Sequence, residues 1–154
     1  GCIMKISNEG LELIKSFEGF RSHPYKDIAG VCTIGYGTTI YPSGKPVKCD
    51  DAPISESRAS DILRDMIDST YAKAVSEAIG DTFTTQEQFD AMVSLAYNIG
   101  TYAFKTSTLL LMHTKMDYAL AAKEFLRWNR AGGQVVPGLA RRREEEQKLY
   151  ERKG

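Results

Sequence analysis

Two carboxylates and a hydroxyl stand within sixteen residues near the N-terminus: Glu18, Asp27 and Thr33, in the run F-E-G-F-R-S-H-P-Y-K-D-I-A-G-V-C-T-I-G-Y-G from Phe17 to Gly37. An acid that keeps its proton, a carboxylate that serves as base and a polar group that orients a water are the parts needed to cleave a glycosidic bond. Each has an ordinary reading when taken alone. Glu18 is then a surface glutamate on a helix, Asp27 a turn carboxylate beside Gly30, and Thr33 a plain strand residue. Their joint spacing is what turns the reading towards catalysis.

The elements that must hold these groups follow from periodicity. Ile6 to Phe20 is expected to be a helix, with Leu11, Ile14 and Phe17 on one face and Ser7 or Asn8 as its cap. Gly19 then puts Glu18 at the helix C-terminus, where the negative end of the helix dipole opposes ionisation. Phe17 and Phe20 can supply an apolar wall beside it. Val31–Tyr41 is β-branched and Gly-rich, Pro42–Pro46 is a turn, and Val47–Cys49 returns, so a single small antiparallel sheet is expected.

The rest of the chain is expected to be helical. Ser55 caps a long helix carrying Ala59, Ile62, Leu63, Met66, Ile67, Val75 and Ile79, closed by Gly80. Thr84 and Glu87 have the spacing of a capping box for the next helix, which stops at Gly100. Ser107 or Thr106 caps a short helix through His113, and Asp117 caps one that includes Leu120, Ala121, Phe125 and Trp128. Gly132-Gly133 is a loop. Pro137 begins a final helix with Leu139, Leu149 and Tyr150 facing inward.

The 154 residues fit one domain with a real core, and 42% apolar with 26% charged residues is ordinary for a globular protein. No apolar run reaches the roughly 18–20 residues of a membrane span, and no secretory h-region stands at the N-terminus. Gly1-Cys2-Ile3, ahead of Met4, is read as a cloning remnant or a domain edge. Zero net charge hides an asymmetry. Residues 61–100 hold two basic and seven acidic side chains, and residues 101–154 hold eleven and six. Solvated faces of opposite sign explain this; so does a basic C-terminal surface that meets an anionic polymer. The basic run lacks interleaved aromatics, which argues against nucleic acid. Three cysteines without a C-x-x-C, and histidines isolated at His23 and His113, argue against a metal site. Cys32 and Cys49 flank the expected hairpin and are read either as free thiols or as a bridge behind Thr33.

The pattern E-x8-D-x5-T followed by I-G-Y-G resembles the lysozymes of tailed bacteriophages, the phage-type muramidases used as endolysins. A-Y-N-I-G at Ala96–Gly100, F-K-T-S at Phe104–Ser107, the lone Trp128 and P-G-L-A-R-R-R-E-E-E at Pro137–Glu146 resemble family motifs in the same order. The resemblance implies an α+β, mostly helical fold in one domain over 4–154. A small N-terminal lobe with a β-hairpin (about 15–55), a connecting helix (56–80) and an all-helical lobe (81–154) would enclose a cleft.

It implies an inverting hydrolase acting on peptidoglycan glycan strands, between N-acetylmuramic acid and N-acetylglucosamine, as a monomer and without a cofactor. Glu18 matches the family's acid, Asp27 its second carboxylate and Thr33 its third catalytic residue. Tyr97 matches a cleft aromatic, Ser107 a substrate-contacting hydroxyl and Thr39 a substrate position usually apolar. Thr38 stands where relatives often carry a His. Arg142 and Arg143 are read either as an exposed ladder with Glu145 and Glu146, or with one Arg, Arg142, approaching Glu18 and ordering the cleft.

The resemblance further implies synthesis in the host bacterial cytoplasm and action on the wall after release through a holin-type pore, which is a partner only indirectly. Alternatives are the same catalytic domain within a phage tail or a secreted effector, or an inactive glycan-binding module.

Overall fold

Ser7 starts the first helix. Its hydroxyl accepts from the Gly10 amide, and its backbone N–H and hydroxyl both bond the Asp90 carboxylate. In the computed structural model, which describes residues 3–153, this helix, α1, spans Asn8–Glu18. It is shorter at both ends than the expected Ile6–Phe20, because the cap sits at Ser7 and Gly19 takes a positive φ of 74°. Gly10 lets α1 approach closely: an added Cβ would lie 2.6 Å from the Asp90 carboxyl carbon. Gly1 and Cys2, part of the expected remnant, lie outside the described residues.

The hairpin differs from the expected one. Strand β1 (Arg21–Lys26) pairs antiparallel with β2 (Cys32–Gly35), Tyr25 opposite Thr33, around the turn at Asp27–Gly30. Pro24 is tolerated because this two-stranded sheet leaves β1 an open edge. The segment expected to return as a strand, Val47–Cys49, makes one strand-like bond, Val47 N–H to the Thr39 carbonyl beside an isolated Ile40–Pro46 bridge, and Lys48 then turns back on Asp51. It is instead fastened covalently: Cys32 and Cys49 form a disulfide, their Cα atoms 5.2 Å apart. A second sheet is also present. The Gly132-Gly133 loop is the turn of a hairpin between β3 (Arg130–Ala131) and β4 (Gln134–Val135).

Ser55 caps α2 (Glu56–Met66), which continues through a π-helical turn (Ile67–Ala72) into α3 (Lys73–Ile79) and ends at Gly80, φ 53°. Helix α4 (Gln86–Ile99) is the centre of the core, buried from Gln88 to Ala96. Its capping box lies one residue beyond the expected one: Thr85 with Gln88, not Thr84 with Glu87. Thr84 is drawn instead to the Thr82 carbonyl and the His113 ring.

A short helix α5 (Thr101–Lys105) was not expected. Next come α6 (Thr108–Thr114) capped by Ser107, α7 (Tyr118–Glu124) capped by Asp117, and a 3₁₀ turn (Phe125–Trp128). Helix α8 (Pro137–Glu151) has Pro137 in its first turn and packs on α4. Leu149 and Tyr150 are buried on α8, and Leu139 is half-buried. The architecture is α+β and mostly helical. Its core runs from Leu11 and Ile14 of α1 through Phe89, Met92 and Leu95 of α4 to Phe104, Phe125 and Tyr150.

Candidate active site

Glu18 is the last residue of α1, as its Gly19 neighbour dictates. The residue stays open to solvent, yet protein crowds its carboxyl. Desolvation raises its pKa, and the Arg142 guanidinium opposes that rise. The position of α1 is fixed from both sides. Asp90 holds its N-terminus. One turn before Glu18, the Lys15 ammonium lies 2.8 Å from Glu56 and 2.9 Å from Glu12 and bonds the Ser60 hydroxyl. The Tyr36 hydroxyl donates to the same Glu56 carboxylate at 2.6 Å, and Phe20 rests against the Tyr36 ring at 5.6 Å. Of the expected apolar wall, Phe20 therefore faces Tyr36, while Phe17 lies under Arg142, whose guanidinium carbon is 4.7 Å from the ring centre.

Arg142 comes from α8, and its burial corrects the exposed-ladder reading. Arg142 is 5% exposed, Arg143 and Glu146 not at all. Arg142 donates to Glu146 at 3.2 Å and to the Ser94 carbonyl at 3.1 Å. The Arg143 Nε lies 2.8 Å from Glu146 Oε1, but out of line for a hydrogen bond. Arg143 donates to the other oxygen at 3.3 Å, and the Ser94 hydroxyl donates there as well. One carboxylate, shared by two guanidiniums and a hydroxyl, thus fixes Arg142 behind Glu18. Two buried cations on one helix need such a partner. Glu145 instead faces solvent near Lys148.

Asp27 and Thr33 sit at the turn end of the hairpin. The Val31 amide donates to Asp27 Oδ1 at 2.9 Å, and Asp27 N–H donates to the Val31 carbonyl at 3.0 Å. The Thr33 hydroxyl gives its one hydrogen to that same carbonyl, at 2.9 Å. Two capacities remain: the second Asp27 oxygen and the lone pairs of Thr33 Oγ1, both acceptors for the hydrogens of a water. Thr33 is 3% exposed, and its neighbour Cys32 carries the disulfide.

Tyr97 is half-buried and packs edge to face with Tyr71, ring centres 5.1 Å apart. Burial pushes its phenol upward in pKa, and the Glu18 charge pushes the same way, which places the two groups in one neighbourhood. Ser107 is elsewhere. Its hydroxyl caps α6, accepting from Leu110 N–H and donating to the Phe104 carbonyl. It lines a cavity of about 810 Å³ with Trp128, Arg127 and Arg130, and neither Glu18, Asp27 nor Thr33 borders that cavity. Chemistry, not size, singles out the Glu18 region. Thr39 lies half-buried beyond β2, its carbonyl taken by Val47 N–H.

Sequence reasoning missed Tyr71, hidden in a helical pattern, and the Ser94 contribution, which has no local signal. Among the described residues no helix is long and apolar enough to cross a membrane, and no group of three or more His, Cys, Asp or Glu side chains is placed to hold a metal.

The profile of the phage lysozyme family matches residues 15–146. The chain is 42% identical to an endolysin of Bacillus phage B103 over 96% of its own length, and it spans about half (54%) of that relative. It is 39% identical to an endolysin of Acyrthosiphon pisum secondary endosymbiont phage 1, covering 96% of this chain and 99% of that protein. An endolysin structure from Escherichia coli O157:H7 phage FAHEc1 superimposes with a TM-score of 0.85 at 38% identity, covering 96% of this chain and 94% of the other.

Proposed function

This chain belongs to the phage lysozyme family, and from that premise we propose that it hydrolyses the β-1,4 bond between N-acetylmuramic acid and N-acetylglucosamine in peptidoglycan, as an endolysin that opens the host wall. The observation that carries this reading is the setting of Glu18. Desolvation raises its pKa by more than the Arg142 charge lowers it, so the carboxyl holds a proton at higher pH than an open glutamate. That is the property a general acid needs.

Glu18 protonates the glycosidic oxygen as the bond to the anomeric carbon breaks. Asp27, through its free oxygen, takes a proton from a water that Thr33 Oγ1 orients, and the water oxygen bonds the anomeric carbon from the opposite face. The result is inversion, the outcome expected of a carboxyl pair roughly 6.5–9.5 Å apart. Tyr97 lines the cleft, Arg142 orders it, and Ser107 and Thr39 contact more distant parts of the glycan. The enzyme is a monomer over 4–154 that needs no cofactor or metal. It is made in the host cytoplasm and reaches the wall through a pore formed by a holin-type protein.

A second reading, the same catalytic domain within a longer protein, draws on the length of the Bacillus phage relative, about twice the matched region.

The test is clearing of a cell-wall suspension by wild type and by Glu18→Gln. The variant keeps the shape of the side chain and loses the proton, so clearing should fall by about 10²–10⁴, with the circular dichroism spectrum unchanged. A folded Glu18→Gln protein that clears the wall at a near-normal rate refutes the assignment.

A further inference from the structure

The π-helical turn between α2 and α3 breaks the register of the buried stripe. Up to the first residue of that turn the stripe is Ala59, Ile62, Leu63 and Ile67, at helical spacing; from its last residue on, the buried positions are Ala72, Ala74, Val75, Ser76 and Ile79. The step from Ile67 to Ala72 is five residues, where an α-helix takes three or four. In an unbroken helix, position 71 would follow Ile67 into the core. The extra residue hands that place to the small Ala72, fully buried, and turns Tyr71 out to the flank, where it is half-buried. There it meets the Tyr97 ring edge to face, centres 5.1 Å apart. Tyr97 is in turn within the electrostatic reach of Glu18 and Arg142. Such turns recur where a helix serves a site.

We infer that the π-turn exists to place Tyr71, and that Tyr71 and Tyr97 together form an aromatic corner next to Glu18 that binds one pyranose ring of the glycan. Two rings at 74° offer perpendicular apolar faces and edges. A pyranose presents a face of C–H groups to one ring, while its hydroxyl and acetamido groups find the phenol oxygens at the rim. A pair of aromatics meeting at an angle fixes the orientation of a sugar, which one flat ring does not. Tyr71 is thus a specificity-determining residue for the glycan, not part of the acid–base machinery. This inference rests on the peptidoglycan reading above for the identity of the sugar.

The experiment uses the Glu18→Gln chain, which binds without turnover, and a peptide-free fragment of wall glycan with four disaccharides. Calorimetric titration should give a dissociation constant about tenfold weaker for Tyr71→Ala, with Tyr71→Phe close to the parent. In the active chain, Tyr71→Ala should raise KM and leave kcat nearly unchanged. Where Tyr71→Ala does not fold, the ring-proton shifts of Tyr71 in the Glu18→Gln chain report the same contact and should move with added fragment. Equal affinities for Tyr71→Ala and parent, or Tyr71 ring resonances that stay still at saturation, overturn the corner. If wild type clears the wall and Tyr71→Ala matches it in KM, the corner alone falls. If wild type clears nothing while the fragment still shifts Tyr71, the hydrolase reading falls and the corner stands.

Discussion

Acid should destabilise this protein through His113. The ring is fully buried, with Nε2 2.8 Å from the Thr84 hydroxyl and Nδ1 2.6 Å from the Tyr150 hydroxyl. Thr84 donates its hydrogen to the Thr82 carbonyl, so it accepts from Nε2–H, and Tyr150 donates to Nδ1. That network assigns the neutral tautomer with both nitrogens satisfied. The Tyr118 and Tyr150 rings pack against it, and desolvation lowers its pKa from 6.5 to about 4. The sign follows from linkage. Between about 6.5 and 4 the unfolded chain binds a proton that the folded chain refuses, so stability falls as pH falls through that window. At about 1.4 kcal/mol per pH step, the loss by pH 4 is about 3 kcal/mol.

Urea unfolding of wild type and His113→Gln, oxidised, from pH 7 to pH 4, measures it. Comparing the two chains cancels the carboxylates that titrate below pH 5. Wild type should be the more stable at pH 7, and the gap should narrow by about 3 kcal/mol towards pH 4. Parallel stability curves, or a His113 ring resonance that titrates near 6.5 in the folded protein, would refute the reasoning.

Replacing Cys49 by Ser opens a loop of sequence separation 17 and should cost about 3 kcal/mol; calorimetry should show reduced wild type melting with the variant, and an unchanged Tm counts against it. Glu146→Gln strips Arg142 and Arg143 of their shared buried carboxylate and should cost about 3–5 kcal/mol; a loss under about 1 kcal/mol in denaturant titration would show that the cluster relaxes freely. The first anomer released from wall glycan should have inverted configuration by NMR, and a retained product removes the water-activating roles of Asp27 and Thr33.

Local chemistry made much of the fold legible. Ser7, Ser55, Ser107 and Asp117 were readable as caps because a short polar side chain before an apolar repeat has few other uses. The error at Thr84 and Thr85 shows the limit. Both residues have an acid or amide partner three positions on, and the choice was made by His113, distant in sequence. Strand β1 was hidden by Pro24 and by the lack of β-branched residues, and it exists because β2 offers it a partner. In the candidate site, Glu18 could be placed at a helix end from Gly19 alone. The burial of Arg142 and Arg143 could not be read from a run of Arg and Glu that looks solvated, since Ser94 and Phe17, on other elements, create their surroundings. The π-turn leaves no mark in composition; only the shift of burial from position 71 to Ala72 reveals it.

Helix α8 also bears on the order in which the molecule is built. Glu18, Asp27 and Thr33 leave the ribosome early. Arg142, Arg143 and Glu146 leave it much later, and Arg152 then closes on Glu9, 143 positions upstream, with a bond of 2.7 Å. Until those closing residues arrive, α4 lacks the helix that covers it and the carboxyl of Glu18 has no cation behind it. A nascent chain stopped before Pro137 therefore contains every group of the proposed reaction but lacks the Arg142 guanidinium that tunes its acid. Synthesis runs from the N-terminus, but the surroundings of Glu18 are completed by α8, and contacts of such long sequence separation form late and slowly.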